Sequence, residues 1–398
     1  MSLKRKIVSC IAAAALAVTS AVSLSGCADI SYALVIDGVT IPAGVYIMYS
    51  GYAFSDAEAL LREEQPDIDM SAEDFDHYKQ TVSGMSFADY VKQETVNYCK
   101  RYVAVTRLYD ELGIEMDATD RDGLTDNINN QWDFSVSDWT STITYLKGCK
   151  TLGDYYQSIG VAKSSFKEVM TGNYKSSEIF SYYYGEGGIE EVPIDEIKNY
   201  IDENYSLARY FSIPITEDGE VVGEDELAKL EELANGYIKE LNDGTSYSEV
   251  YEEYEKYSSE DEETDEEEEE HEHEDSDFDR IISVDSTSPS EEFVKALFEQ
   301  EKGTAALFKA DTYYYVVQRL DITDSEDYVE DYTDTALEAL RRDDMEDAFK
   351  AKYADYGVTE NSSAPDYARQ QADNALNALS TINTIQYYSY YSSLFGSY

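Results

Sequence analysis

The sequence predicts an α+β protein: a mainly helical module into which a small domain of strands and helices is inserted. Three observations carry this. Apolar residues recur at helical spacing before position 205, most clearly at Val96, Cys99, Val103 and Leu108. After Tyr205 the period changes, and β-branched or aromatic runs appear at Ala208 to Ile215, Ile281 to Val284, Ala305 to Phe308 and Tyr313 to Leu320. From 326 to 355 the helical period returns in a long charged stretch.

Composition bounds the function. The chain has 398 residues, room for two or three folded units at roughly 100–200 residues each. Hydrophobic residues make up 42%, enough to build cores and to argue against wholesale disorder. With 30 Lys+Arg against 83 Asp+Glu, the net charge is −53. That excludes a protein that works by covering nucleic-acid phosphates, and argues against docking on anionic lipid through side chains. Tyrosine is abundant, at 37 residues against 13 Phe and 2 Trp, and gives broad amphipathic surface at low entropy cost.

The N-terminus reads as a secretory signal. Lys4, Arg5 and Lys6 form a positive region, and Ile7 to Leu24 an apolar stretch rich in Ala and Val. Leu24-Ser25-Gly26-Cys27 resembles the bacterial lipobox. The resemblance implies that Cys27 is diacylated, becomes the first mature residue and tethers the chain to the outer face of the bacterial cytoplasmic membrane. The alternative is an uncleaved membrane anchor, since about 18 apolar residues just suffice to span. Cys10 leaves with the signal, so Cys99 and Cys149 remain, either as a disulfide or as two free thiols.

Along the mature chain, Ala33 to Ile41 reads as a hairpin turning at Asp37-Gly38. Pro42 opens a helix with Val45, Met48, Tyr49 and Tyr52 on one face. Residues 54–86 read as polar and irregular. A strong helix covers 87–112 and stops at Gly113, and Thr119 is placed to cap the next. Further helices are expected at 136–148 and 163–184, followed by a Gly-Glu-Gly-Gly linker at 185–188. Pro193 starts another helix, with Asp195 and Glu196 favouring its dipole. Within the inserted domain, helices are expected at Asp225 to Leu241, Ser246 to Tyr257 and Ser290 to Gln300. An almost wholly acidic run lies from Ser259 to Asp279, and a polar, Tyr-rich tail follows position 361.

In this order the pieces resemble the PrsA-type extracytoplasmic foldases and SurA-type chaperones, in which a helical chaperone module is joined to parvulin-type peptidyl-prolyl isomerase domains. The N-terminal resemblance rests on Val35-Ile-Asp-Gly-Val-Thr-Ile41 before a helix, Glu111-Leu-Gly-Ile-Glu-Met-Asp117 after one, Ile159-Gly160-Val161 and Val192-Pro-Ile-Asp-Glu-Ile-Lys-Asn-Tyr200. Within 206–322, Ala208 to Ile213 stands where the family has Ala-x-His-Ile-Leu-Val. Glu292 to Phe298 with Gly303 fits Phe-x-x-Ala-x-Phe and Gly. Tyr313 to Val317 takes the place of Gly-Tyr-His-Ile-Ile. The resemblance implies a signal at 1–27, a helical module at 28–205 completed by a helix at 323–360, a parvulin-like domain at 206–322 with the acidic insert 259–279, and a tail at 361–398.

The departures bear on activity. The family's two active-site histidines are replaced by Tyr210 and Tyr315, and the chain's three histidines, His77, His271 and His273, lie in neither strand. The Gly-Gly-Asp-Leu-Gly segment is absent, leaving Asp277 or Asp279 as substitutes, while Phe293 keeps a proline-pocket position. Isomerisation must lower a barrier of roughly 18–20 kcal/mol using an apolar pocket and hydrogen bonds to the twisted amide. Tyrosine hydroxyls can donate such bonds, yet β-propensity alone also accounts for Tyr in strands. The expectation is a parvulin-like domain with weak or absent activity.

Other chemistry finds less support. The acidic run offers carboxylates to hard cations, and His271 and His273 offer imidazoles, but it lacks the spaced pattern of an organised loop and reads as a polyanion. There is no Gly-x-Ser-x-Gly, P-loop or dinucleotide fingerprint. The function expected is a lipid-tethered extracytoplasmic chaperone or foldase for exported polypeptides, needing no cofactor and no metal. The alternatives are an active isomerase with a non-histidine site and a surface scaffold with neither activity. Its partners are unfolded or nascent exported chains and, through Cys27, the membrane; nucleic acid is not among them.

Overall fold

The computed structural model describes residues 32–361, apart from 71, 73–74, 137–147, 218 and 260–272. The signal, Cys27, nearly all of the helix expected at 136–148, most of the acidic run with His271, and the Tyr-rich tail lie outside the described residues.

In chain order the elements are β1 (Tyr32–Ile36), β2 (Val39–Pro42), α1 (Ala43–Glu64), β3 (Thr81–Val82), β4 (Met85–Ser86), α2 (Phe87–Leu112), α3 (Ala118–Trp132), α4 (Leu152–Ser158) and α5 (Lys163–Tyr184). They continue with α6 (Ile194–Asn204), β5 (Tyr205–Pro214), β6 (Thr216–Glu217), β7 (Glu220–Val221), α7 (Glu224–Asp243), α8 (Tyr247–Ser259), β8 (Arg280–Ser283), α9 (Glu291–Glu299), β9 (Thr304–Lys309), β10 (Tyr313–Leu320), α10 (Glu326–Tyr353) and β11 (Val358–Glu360). The fold is α+β, and every sheet pairing is antiparallel.

Two compact units divide the chain. The first takes the residues up to Ile189 and from Asp343 on; the second is Glu190–Arg342.

In the first unit the hairpin β1–β2 turns through Asp37 and Gly38, both at positive φ (47° and 85°), the geometry that the Asp-Gly pair supplies. β11 adds to the free side of β1. This strand was not legible in the sequence, because three exposed residues after a helix carry no alternation. α1 runs on to Glu64, through positions expected to be irregular: Phe54, Ala57 and Leu61 are buried against Val82 and Phe87. α2 matches its expected span. The Ser86 hydroxyl caps it by accepting from Asp89 N–H, and Gly113 closes it at φ 67°. α3 is capped by Asp117 rather than Thr119, so the helix begins two residues earlier than the Thr cap implied.

The core of this unit joins Ile36, Ile41, Met48, Cys99, Val103, Trp132, Tyr155 and Phe166. Cys99 and Cys149 are both free; the first is buried in this core and the second packs at its margin, so the disulfide alternative is not realised. Arg101 on α2 grips the last part of α10: its Nε donates to both carboxylate oxygens of Glu346 (2.9 and 3.0 Å), and its guanidinium lies 4.8 Å over Phe349.

In the second unit four strands form one sheet in the order β8–β5–β10–β9. Successive side chains point to opposite faces. Phe211, Ile213 and Ile215 of the first long strand and its continuation, with Tyr314 and Val316 of β10, meet α7 and α8 in one core. Ala208, Val317 and Ile282 meet Phe293, Val294 and Leu297 of α9 in another. The unit also takes in α6 and the first part of α10, which the sequence had assigned to the helical module. The physical reason is pairing: Arg341 reaches Glu196 at 2.7 Å, Lys198 donates to Thr323 O, and Lys302 bridges Asp202 and Asp321.

Two glycines test this packing. Gly153 lies on α4 against the Trp132 indole, where an added Cβ would overlap the ring. Gly123 lies inside α3 with nothing within 4 Å of such an atom. Urea unfolding should show Gly153→Ala destabilised by about 1–3 kcal/mol, through overpacking. Gly123→Ala should be stabilised by about 0.5–1 kcal/mol, through helix propensity.

Candidate functional site

Three of the four expected site positions in the inserted domain come together on one face of the sheet. Tyr210 on β5 and Tyr315 on β10 are diagonal neighbours, because Tyr210 pairs with Val317 and Tyr315 with Ser212. Their rings stand edge to face at 6.0 Å. Phe293 lies 5.1 Å from the Tyr210 ring and 5.3 Å from the Tyr315 ring. It is held there by the first turn of α9, where the Ser290 hydroxyl caps the helix by accepting from Phe293 N–H at 3.1 Å. At 1% exposure Phe293 is the floor of the site and not its lining.

Two further residues belong to this face. Phe308 of β9 is paired with Tyr315 in the ladder and lies 5.3 Å from Phe293. Tyr313, 40% exposed, extends the face 6.0 Å beyond Tyr315. Strand alternation places Tyr313 beside Tyr315 from sequence alone. Phe308 needs the register, which is fixed by the short turn before β10 in which Ala310 N–H donates to Tyr313 O.

The phenols are the only hydrogen-bonding side chains among these five residues. Tyr210 and Tyr315 are half-buried, and neither hydroxyl has a hydrogen-bond partner among the described residues. Burial first, then the neighbouring Tyr210 and Tyr313, push the Tyr315 phenol above the ordinary tyrosine range. It therefore stays protonated at neutral pH and can donate to an amide laid across the face.

Asp277 does not join them. It lies in the turn Asp275–Phe278, accepts from Glu274 N–H at 3.0 Å and faces His273 at 3.9 Å. Phe278 of the same turn packs on Tyr247 and Tyr251, which belong to the core on the other face of the sheet. His273 stands against Phe278 and likewise does not reach the tyrosine face. Asp279 is committed elsewhere too: it accepts from Arg209 Nε at 2.6 Å and from the Tyr328 hydroxyl at 2.9 Å. Burial would raise the Asp275 carboxyl, but the Ser248 amide and hydroxyl, the Tyr247 amide and Arg209 hold it below the usual carboxylate range. These carboxylates fasten the return of the chain to β8 and are not free for chemistry.

In the first unit His77 is a packing residue. Its Nε2 meets Glu58 at 2.7 Å, and its ring is enclosed by Phe54, Phe75 and Phe87. Tyr49, Tyr52, Tyr98 and Tyr102 form a second aromatic group, with Tyr98 donating to Asp56 at 2.6 Å. Among the described residues there is no group of three or more His, Cys, Asp or Glu arranged to hold a metal ion, and no helix long and apolar enough to cross a membrane.

No protein-family profile matches this chain, and no curated protein matches it. Among solved structures it is similar to the foldase protein PrsA from Lactococcus lactis, at 13% identity over 86% of this chain and 99% of that one, with a TM-score of 0.31. It is similar to the foldase protein PrsA from Streptococcus pneumoniae, at 15% identity over 75% of this chain and 100% of that one, with a TM-score of 0.29. It is similar to PrsA from Bacillus subtilis, at 13% identity over 71% of this chain and 93% of that one, with a TM-score of 0.25.

The raised Tyr315 phenol has a measurable consequence. The folded chain keeps this proton where the unfolded chain loses it, so its stabilisation is full below about pH 10 and is lost as pH rises through the folded value. In an alkaline titration of phenolate absorbance, Tyr315→Phe should remove a late-ionising group. Removal of one that titrates normally would contradict the burial argument.

Proposed function

We propose that this chain is a membrane-tethered extracytoplasmic chaperone, or foldase, for exported polypeptides, in which the parvulin-like domain offers a client-contact face with weak or absent isomerase activity. One observation carries the reading. Tyr210, Tyr315, Phe308 and Tyr313 form a continuous aromatic face over buried Phe293, and no imidazole lies on it among the described residues. Such a face gives apolar contact with hydroxyls at its rim, which suits broad and weak recognition of extended chains. The net charge of −53 keeps the protein soluble, repels acidic chains and raises the local concentration of basic ones. The tether belongs to the same proposal and rests on the signal-like N-terminus and Leu24-Ser25-Gly26-Cys27.

A second reading, an active isomerase without histidines, is favoured by the unpaired hydroxyls of Tyr210 and Tyr315. A catalyst here would have to donate a hydrogen bond preferentially to the twisted amide, and the two phenols are the donors this face supplies.

The test is suppression of aggregation of a reduced, unfolding client by residues 28–398. Tyr313→Ser with Tyr315→Ser should lower suppression several-fold, while Tyr210→Phe with Tyr315→Phe, which keeps the apolar face, should leave it nearly intact. Circular dichroism checks the fold of both. Equal suppression by all forms would overturn the assignment of client contact to this face.

A further inference from the structure

The four-stranded sheet of the second unit treats its two edges differently. At β9 the edge is closed in part: Ala305 N–H donates to Asn242 Oδ1 (2.8 Å), Asn242 Nδ2 donates back to Ala305 O (3.0 Å), and Lys309 pairs with Glu231 (2.6 Å). This is how an edge is kept from pairing with a foreign strand. The β8 edge carries no such plug among the described residues. Val284 N–H donates to Asn204 O, which sets the alternation of the ladder with β5. Ile281 and Ser283 therefore direct their backbone groups away from β5. Ser283 C=O is taken by Ser286 N–H, but the N–H and C=O of Ile281 have no partner among the described residues.

Beside this edge lies a groove of about 540 Å³ between the segment 284–287 and α9. Val294 and Phe298 give it an apolar floor, and Val284 stands 42% exposed at its mouth. Asp285, Glu291 and Glu299 on its rim outnumber Lys295. The open edge and the groove are independent observations, and both suit a chain in extended conformation: the edge offers backbone pairing, the groove a seat for an alternate side chain.

We infer that the β8 edge and the adjoining groove form a second peptide-binding site, which takes an extended client segment carrying Lys or Arg beside apolar residues. The inference rests on the chaperone reading above and names its client class. Charge selects this occupant over a second copy of the chain: a partner at net charge −53 would bring like charge to an acidic rim. A basic client gains that attraction, and β-pairing needs no sequence beyond an extended backbone. The site lies on the β8 side of the sheet, whereas Tyr313 and Phe308 belong to the β9–β10 side, so a long client could engage both.

The probe is a heptapeptide of alternating Val and Thr with Lys at both ends. Controls are the same peptide with Glu at both ends, and the Lys form N-methylated at alternate residues in each of the two phases. A photo-crosslinking residue replaces Val284 in one sample of residues 28–398 and Tyr313 in another. The inference expects cross-linking at 284, weaker by about fivefold to tenfold when the phase facing Ile281 is N-methylated, on the scale of one or two lost hydrogen bonds. It also expects the preference for Lys ends over Glu ends to disappear in Glu291→Gln/Glu299→Gln, exposed positions whose change leaves the core untouched. Cross-linking at 313 alone overturns the edge site and leaves the chaperone reading standing. Cross-linking at 284 that ignores N-methylation in both phases overturns strand pairing, and cross-linking of 284 to the chain itself without peptide overturns the client as occupant. Absence of cross-linking at both positions, together with no suppression of aggregation, overturns both readings.

Discussion

In the ladder between β5 and β10, Leu207 to Pro214 pair residue for residue with Leu320 to Tyr313. Because side chains alternate, this one register decides what each face of the sheet can do. It sends Phe211, Ile213, Tyr314 and Val316 into the core under α7 and α8, and Tyr210, Tyr315 and Val317 to the face that α9 covers only in part. A slip of one residue would exchange the two sets, burying the phenols and exposing Phe211 and Val316. The positions of the aromatic face are therefore set by the same register that builds the core.

The buried polar groups serve that constraint. Arg319 donates to Phe298 O (2.7 Å), to Gln300 O (2.6 Å) and to Ser206 Oγ (3.2 Å), tying the end of α9 to β5 and β10. Arg209 ties the turn Asp275–Phe278 to β5 through Asp275 and Asp279, so the chain leaving the acidic run is delivered to β8 in register. Each is a cation paired or bonded where burial would otherwise penalise it. Among the described residues, these bonds leave phenols and phenyl rings on the aromatic face, with no carboxylate or imidazole beside them. Such a surface suits the proposed contact with extended chains.

Much of this was legible in the sequence. The switch from helical to strand-like period after Tyr205 located the sheet, and Gly113 marked a helix end where the backbone is at positive φ. That Tyr210, Tyr315 and Phe293 share a site was expected only from the resemblance to parvulin-type domains, whose motif positions they occupy. Asp277 was misjudged as a neighbour of the site because a carboxylate at the end of an acidic run carries no signal of which sheet face it serves; Phe278 turns that segment toward Tyr247 and Tyr251. The small pairings β3–β4, β6–β7 and β1–β11 were missed for another reason: strands of two or three residues are made by tertiary position and not by pattern. The membership of α6 in the second unit depends on ion pairs at least 100 residues apart in the chain, Arg341 with Glu196 and Lys302 with Asp202, which no local period announces.

If the aromatic face is the proposed client-contact surface, it binds clients without catalysing prolyl isomerisation to a useful extent. The direct measurement is proline-limited refolding of a model client in the presence of residues 28–398 and of its Tyr210→Phe/Tyr315→Phe form, with binding followed in the same sample. The client should then be bound while the slow phase keeps its uncatalysed time of roughly 10–100 s with both proteins. A slow phase shortened by the unaltered chain and restored by the double substitution would contradict it, and would make the two phenols a catalytic pair.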